Sequence, residues 1–402
     1  MEAQTERLPL SGIRVLDIGT LIGGPFGASL LAEFGAEVIK VEQPGVGDPM
    51  RTLGGVYQGV GLYWLEFARN KKSITLNLRE KEGQELLKRL VKVSDVLIEN
   101  FRPGTLERWN LGYEELHALN PRLILARVSG FGQTGPYRDR YAFDRIATAF
   151  GGLTYVTGFP ETPPVRPGFN VADYMAGIFN ALAVMMALYH RDARQTGEGQ
   201  VIDLALYEPI FRISALVQAY DKLGRVRERT GNVNPHIAPA ETFQTRDGQW
   251  IVLIAGTDNI WRRLARAMGR EELADDPRYA TMTKRVEHME ELHRLIGEWV
   301  QTYNAEEVSQ ILEAAGVPAT RMYSIADIFA DPHYQARENL VEVETPQLGK
   351  IKMSGVIPKF SRTPGRIRWA GPDLGAHNEE IYQGLLGLSA ETLAEYKSRG
   401  II

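Results

Sequence analysis

The chain of 402 residues carries 46 basic and 50 acidic residues, a formal charge of −4, with 44% apolar and 24% charged positions, a composition that fits a globular protein long enough for two structural units. It contains no cysteine, which excludes disulfides, thiolate metal sites, iron–sulfur clusters and a cysteine nucleophile, and suits a reducing cytosol. No global basic field exists to recruit nucleic acid or a membrane surface, so an anionic ligand has to be met by a local cluster.

The opening residues Met1–Arg7 are charged and no signal-peptide core follows. The longest stretch free of Asp, Glu, Lys and Arg, Tyr174–His190, is seventeen residues, just short of a spanning helix. A soluble cytoplasmic protein is expected. Ile13–Asp17 reads as a short apolar strand, followed by a Gly/Pro turn and an amphipathic stretch over Phe26–Phe34. Strands are predicted at Glu37–Glu42 and Ser73–Asn77, a helix over Lys81–Lys92, then strands at Asp95–Glu99 and Leu123–Ser129. This alternation predicts an α/β fold with a mostly parallel sheet covered on both faces.

Asp173–Arg191 reads as one long helix, apolar on all sides and therefore expected to be buried on all sides. Gly224–Asn234 is charged and turn-rich, a crossing between units. Phe243–Ile254 has the pattern of a hairpin around Asp247-Gly248. Helical patterns run to about residue 315, Pro318–Ile328 and Pro332 mark a return, and the proline-marked tail reads as a strap. The expected boundaries are 1–223 for the first part of a large domain, 224–330 for a smaller α+β domain and 331–402 for the strap.

Gly130-Phe-Gly132-Gln-Thr-Gly135 fits a dinucleotide fingerprint and follows a strand, but a polar loop follows it where that motif needs a helix N-terminus. His288 and His293 are five apart rather than four, and no P-loop or nucleophile elbow occurs. Two cationic segments lie beside predicted strands: Arg69-Asn-Lys71-Lys72, and Asn100-Phe101-Arg102-Pro103-Gly104 with Arg108 beyond it. Loops after strand C-termini form the ligand crevice of an open α/β sheet. These cations suit phosphates there and Phe101 suits an aromatic base; a solvated basic rim is the alternative. Asp173, at the start of the apolar helix, is either an ordinary N-cap or a partly buried nucleophilic carboxylate.

Ordered blocks along the whole chain carry a resemblance: Leu10–Asp17 (LSGIRVLD), Gly24-Pro25, Phe34–Glu42 (FGAEVIKVE), Pro44–Asp48 (PGVGD), Arg69–Ser73, Asp95–Gly104, then Asp173, Gly177, Ala187-Leu188, Arg191, Thr196-Gly197 and Gly199-Gln200. The sequence resembles the family III CoA-transferases, which include formyl-CoA:oxalate and carnitine CoA-transferases. The resemblance implies a Rossmann-like large domain built from both chain ends, a small domain, and two chains interlocked as a homodimer. It implies Asp173 as nucleophile, passing through a mixed anhydride and an aspartyl–CoA thioester without ATP or metal. Coenzyme A is then part of the acyl-CoA substrate, and no cofactor is tightly bound.

Asn100, Phe101 and Arg108 match the family's CoA-contacting positions, with Arg102 in the same loop and Lys71 and Lys72 expected at the phosphates. Ile22 stands where the oxalate enzyme has a glutamine, which moves oxyanion stabilisation to backbone N–H groups around Leu21–Gly24. The α-methylacyl-CoA racemases are the rival within the superfamily; they use a His-Asp step where this chain has Phe143-Asp144, and phenylalanine moves no proton. A non-catalytic CoA-binding protein is the other alternative, against which the intact Asp173 argues. The N-terminal wording and Asn234–Pro239 (NPHIAP) are similar to transferases acting on succinyl-CoA and C4–C5 dicarboxylates such as malate or citramalate. A second substrate carboxylate needs a cation; Arg51, Arg140 and Arg145 are the candidates, with His236 as a further lining residue.

Overall fold

The computed structural model describes residues 8–402; the charged opening Met1–Arg7 lies outside the described residues. The chain divides into two units, one comprising residues up to Thr154, Arg166–Leu223 and Gln335–Ile402, the other Tyr155–Val165 and Gly224–Tyr334.

The first unit is built on six parallel strands: β1 (Arg14–Asp17), β2 (Glu37–Glu42), β3 (Lys71–Thr75), β4 (Val96–Glu99), β5 (Ile124–Ser129) and β6 (Val201–Ala205). Their order is β3-β2-β1-β4-β5-β6, the doubly wound arrangement that reverses between β1 and β4. Val15 lies beside Val38 and Val96 in register. Because side chains alternate along a strand, successive apolar residues feed two separate cores. Val15, Val38, Ile98 and Ala126 pack on one face with Ala28, Leu31, Ala181 and Val184. These last four come from helices α1 (Pro25–Glu33) and α5 (Val171–Leu188). Leu16, Ile39, Ile74, Leu97 and Leu125 pack on the other face. There they meet Leu86, Leu87 and Leu90 of α3 (Lys81–Val91) and Tyr382 and Ile401 of the C-terminal segment. Two short helices complete the frame of the site, α2 (Leu62–Phe67) and α4 (Asp144–Phe150).

The C-terminal segment covers the open edge of β3 with hydrogen bonds instead of a further strand. His377 N–H donates to Ser73 O at 2.9 Å, Thr75 N–H to Asn378 Oδ1 at 2.8 Å, Tyr382 OH to Thr75 O at 2.7 Å and Asn77 N–H to Ile401 O at 2.7 Å. The segment begins with an antiparallel hairpin, Leu340–Thr345 with Gly349–Ser354.

Helix α5 departs from the expectation of burial on all sides. Its small residues Ala176, Gly177, Ala181 and Ala187 are buried with Val184, whereas Ile178, Leu182, Met185 and Met186 are exposed, Met186 by 61%. The small side chains seat the helix on the sheet; the large apolar ones form a second face. By length and composition Val171–Ala193 also fits a membrane span, yet one side of it is packed against α1, β5 and β6.

The second unit holds a three-stranded antiparallel sheet in which Ala240–Gln244 pairs with Trp250–Ile254, and the latter with Ala319–Arg321. The Asp247-Gly248 turn forms as its sequence predicts, with Gly248 at φ +78°. Trp261, Leu264, Leu292, Ile296 and Val308 form its core.

Candidate active site

At the point where the strand order reverses, the β1–α1 loop, Ile18–Gly24, meets the end of β4. Asn100 grips it, accepting from Thr20 N–H at 2.8 Å and donating to Thr20 O at 2.7 Å. Helix α1 crosses α5 at backbone contact: a Cβ on Gly27 would fall 2.7 Å from Gly177 O, and one on Gly177 would fall 3.1 Å from Gly27 N. Only glycines permit that approach, and it brings the loop against the first turn of α5. A Cβ on Gly23 would lie 3.9 Å from Asp173 Oδ1 and 3.6 Å from Val128.

Asp173 is not the N-cap. Helix α5 starts at Val171 with Asn170 in the cap position and no side-chain cap of its own. Asp144 does the capping, its Oδ1 accepting from Ala172 N–H at 2.8 Å and Asp173 N–H at 3.4 Å. Asp173 therefore stands inside the first turn, where the helix dipole favours its charge, but its carboxylate has no hydrogen-bond or ion-pair partner among the described residues. Burial, reinforced by the negative charge of Asp144, pushes its pKa up to about 7. Once ionised, such a carboxylate is poorly solvated and unpaired, and hence a good nucleophile.

Several amides of the adjacent loop are left free. Hydrogen bonds occupy the N–H groups of Ile18 through Leu21, whereas those of Ile22, Gly23 and Gly24 meet no acceptor among the described residues. Ile22 itself is buried with Met50, Trp64 and Ala68. Leu21 lies in the left-handed region at φ +61°, a conformation costing a leucine about 1–2 kcal/mol. Beneath the loop sits a buried charge network. Lys40 Nζ lies 2.9 Å from Asp48 Oδ2 and 3.6 Å from Asp17 Oδ1, and Lys71 Nζ lies 2.8 Å from Asp17 Oδ2.

That network corrects the reading of the cations. Lys71 is fully buried and also donates to Pro25 O at 2.7 Å, so it faces the interior of the sheet and not a phosphate; burial pulls its pKa down. Lys72 bridges Glu37 at 2.5 Å and Glu380 at 2.7 Å. Arg51 is held by both oxygens of Glu42 at 2.8 Å and lies 3.8 Å over the Trp64 ring, which occupies it fully. Arg140 is exposed and stacks 3.6 Å over Tyr137. Arg145, next to Asp144, is exposed with no side-chain partner among the described residues. His236 is exposed and belongs to the second unit.

The Asn100–Arg108 loop is better placed. Phe101 and Trp109, at 5.3 Å and nearly perpendicular, line a cleft of about 400 Å³ with Ile18, Thr20, Leu78 and Arg79. Arg102 donates to Asp139 O at 2.8 Å and lies 3.9 Å over Tyr141; Arg108 is exposed and donates to Thr105 Oγ1 at 2.9 Å. Sequence reasoning missed Arg79 and Trp109. An arginine after a strand was the available signal for Arg79; Gly23 falls within the Leu21–Gly24 stretch expected to supply oxyanion amides, though no signal sets it opposite a carboxylate 150 residues away. The Gly130–Gly135 motif leads into a loop that reaches α4 only at Asp144, so no helix N-terminus follows it. No cluster of three or more potential metal ligands occurs among the described residues.

The fold and site together define a doubly wound α/β enzyme with a ligand cleft at its switch point and a poorly solvated carboxylate beside the β1–α1 loop. The chain belongs to CoA-transferase family III, which it matches over residues 10–378. It is 50% identical to a succinyl-CoA–D-citramalate CoA-transferase of Chloroflexus aurantiacus, with 100% of each chain covered. It is 47% identical to the beta subunit of that organism's succinyl-CoA–L-malate CoA-transferase, again over 100% of both chains. Among solved structures it resembles a CAIB/BAIF family protein from Brucella suis, with a TM-score of 0.84 and 34% identity over 94% of this chain and 100% of that one.

Proposed function

We propose that this enzyme transfers CoA from succinyl-CoA to a free C4–C5 dicarboxylic acid with Asp173 as nucleophile. The observation carrying the reading is the unpaired, partly buried Asp173 carboxylate beside Gly23, a residue whose own amide is free. The carboxylate attacks the thioester carbonyl, and the amides of Ile22 and Gly23 receive the oxygen that gains charge. The C–S bond breaks, leaving a mixed aspartyl–acyl anhydride and CoA thiolate. The thiolate attacks the aspartyl carbonyl, releasing the donor acid as a carboxylate and forming an aspartyl–CoA thioester. The acceptor carboxylate attacks that thioester and expels the thiolate; the thiolate then takes the acceptor's acyl group, and Asp173 is regenerated. Each step exchanges one activated acyl bond for another.

CoA occupies the cleft of Phe101 and Trp109, with Arg79 and, from the adjoining loop, Arg102 and Arg108 serving its phosphates; the aromatic lining and Arg79 support this placement. The dicarboxylate reading rests on the names of the citramalate and malate relatives, and Arg145 is the cation left without a partner to hold a second carboxylate. Phe143, exposed in the N-cap position of α4, offers no proton-transfer group for a racemase. The large apolar face of α5, together with exposed Phe211 and Ile213, supports a homodimer; its packed side supports a soluble protein.

The test is CoA exchange between succinyl-CoA and a panel of free acids without ATP or metal, products identified by mass, with Asp173→Ala alongside. New acyl-CoA from one or two dicarboxylates, absent in the variant, is expected. Equal turnover of acetate and butyrate refutes the dicarboxylate assignment, and undiminished exchange by Asp173→Ala refutes the nucleophile.

A further inference from the structure

The β1–α1 loop is fastened one amide at a time, and each fastening uses a different partner. Ile18 N–H donates to Ile98 O at 3.0 Å, Gly19 N–H to Asp17 Oδ1 at 3.2 Å, Thr20 N–H to Asn100 Oδ1 at 2.8 Å and Leu21 N–H to Asp48 Oδ1 at 3.1 Å. The free amides begin immediately afterwards. Leu21 is thus the last fastened residue, and it is the one in the left-handed region. A leucine has no local reason to stay there; relaxing to a negative φ would redirect every amide that follows.

Asp48 provides the external reason. It is 4% exposed. Its Oδ1 is shared between Leu21 N–H and Met50 N–H, the latter at 2.9 Å, and its Oδ2 meets Lys40 Nζ at 2.9 Å. Its own N–H donates to Glu42 Oε2 at 2.9 Å. Lys40 in turn donates to Gly19 O. One buried ion pair therefore grips the loop at two points, the carbonyl of Gly19 and the amide of Leu21. Burial alone would push the Asp48 carboxyl up, but Lys40 and the two amides outweigh it and hold its pKa below the ordinary value, so the grip stays ionised.

We propose that Asp48 is a positioning residue for catalysis: by holding Leu21 left-handed it aims the amides of Ile22 and Gly23 at the charge that develops beside Asp173. The proposal rests on the transferase reading given above. It separates the loop's conformation from the stability of the ion pair, and the two are testable apart.

The experiment measures kcat and KM for CoA exchange in Leu21→Val, Leu21→Gly, Asp48→Asn and the double variant Asp48→Asn/Leu21→Gly, with thermal midpoints to check folding. A β-branched residue tolerates φ near +61° poorly, so Leu21→Val disturbs the loop while leaving the ion pair in place. Losing an aligned oxyanion donor costs about 100-fold or more in kcat; partial misalignment in Leu21→Val and Asp48→Asn is expected to cost roughly 30- to 100-fold, with KM for acyl-CoA within about twofold. Glycine takes the left-handed conformation unaided, so the double variant recovers about tenfold over Asp48→Asn.

Wild-type kcat in Leu21→Val overturns the proposal, as does a double variant no faster than Asp48→Asn. Protection of the Leu21 amide from hydrogen exchange, lost in Asp48→Asn, tests the hold without substrate; an unprotected Leu21 amide in the wild type also overturns it. Absence of exchange by the wild type itself counts against the transferase reading, and the amide measurement then decides on Asp48 alone.

Discussion

Replacing Asp173 by asparagine should abolish transfer and stabilise the protein above neutral pH. The side chain keeps its shape and loses its charge. In the fold, burial and Asp144 push the carboxyl up to about 7; in the unfolded chain it returns to its ordinary value. The folded state therefore binds this proton more tightly, and wild-type stability falls as pH rises from about 4 towards 7. Once the group is ionised in both states the cost is complete, up to about 4 kcal/mol and smaller to the extent that water reaches the carboxylate. Asp173→Asn carries none of it. Its melting temperature should exceed the wild type's at pH 8, and the gap should narrow steadily from pH 7 to pH 4. In the wild type, the rate of acyl transfer to the enzyme should climb with a single ionisation near pH 7. A gap independent of pH, or a variant less stable at pH 8, would refute the account of Asp173 as an ionised, poorly solvated carboxylate held in readiness.

Asp144→Asn keeps an oxygen to accept from Ala172 N–H but removes the charge that raises Asp173; the acid limb of the pH–rate profile should move to lower pH, and a profile that stays put would assign the whole effect to burial. Gly27→Ala places a methyl 2.7 Å from Gly177 O, so α1 must lift from α5. We expect a loss of about 1–3 kcal/mol in stability and a larger proportional fall in kcat as the amides leave Asp173, measured by thermal melting and exchange kinetics; wild-type values for both would show that the crossing does not set the distance.

The parallel sheet was readable because each strand is a short β-rich run: the Glu37–Glu42 prediction is met residue for residue, and Lys81–Lys92 ends one residue early. Strand β6 was missed; its residues are only partly buried at the edge, so no apolar run announces it. The sequence sets Lys71 and Lys72 ahead of the Ser73–Asn77 strand as phosphate-seeking cations, because sequence displays a charge and hides its partner. Here the partners are Asp17, Glu37 and Glu380, and the lysines belong to the strand. Asp173 was found by its position at the start of an apolar helix, but its place in the first turn depends on a cap from Asp144, 29 residues earlier. The Leu21–Gly24 stretch was legible as a source of amides, but the left-handed turn at Leu21 was not, since nothing in a leucine signals a positive φ.

The covered edge of β3 also bears on how the chain is made. Tyr382, which bonds to Thr75, follows it by 307 positions. At a synthesis rate of about 5–20 residues per second, roughly 15–60 s separate the emergence of the two residues from the ribosome. For that interval the strand has an unprotected margin, the kind of template on which nascent chains pair wrongly. Its first two residues are lysines, and charge along an open margin discourages pairing with a second chain. In the finished fold Lys71 is drawn inward to Asp17, so Lys72, half-buried between Glu37 and Glu380, is the lysine whose charge stays on that margin.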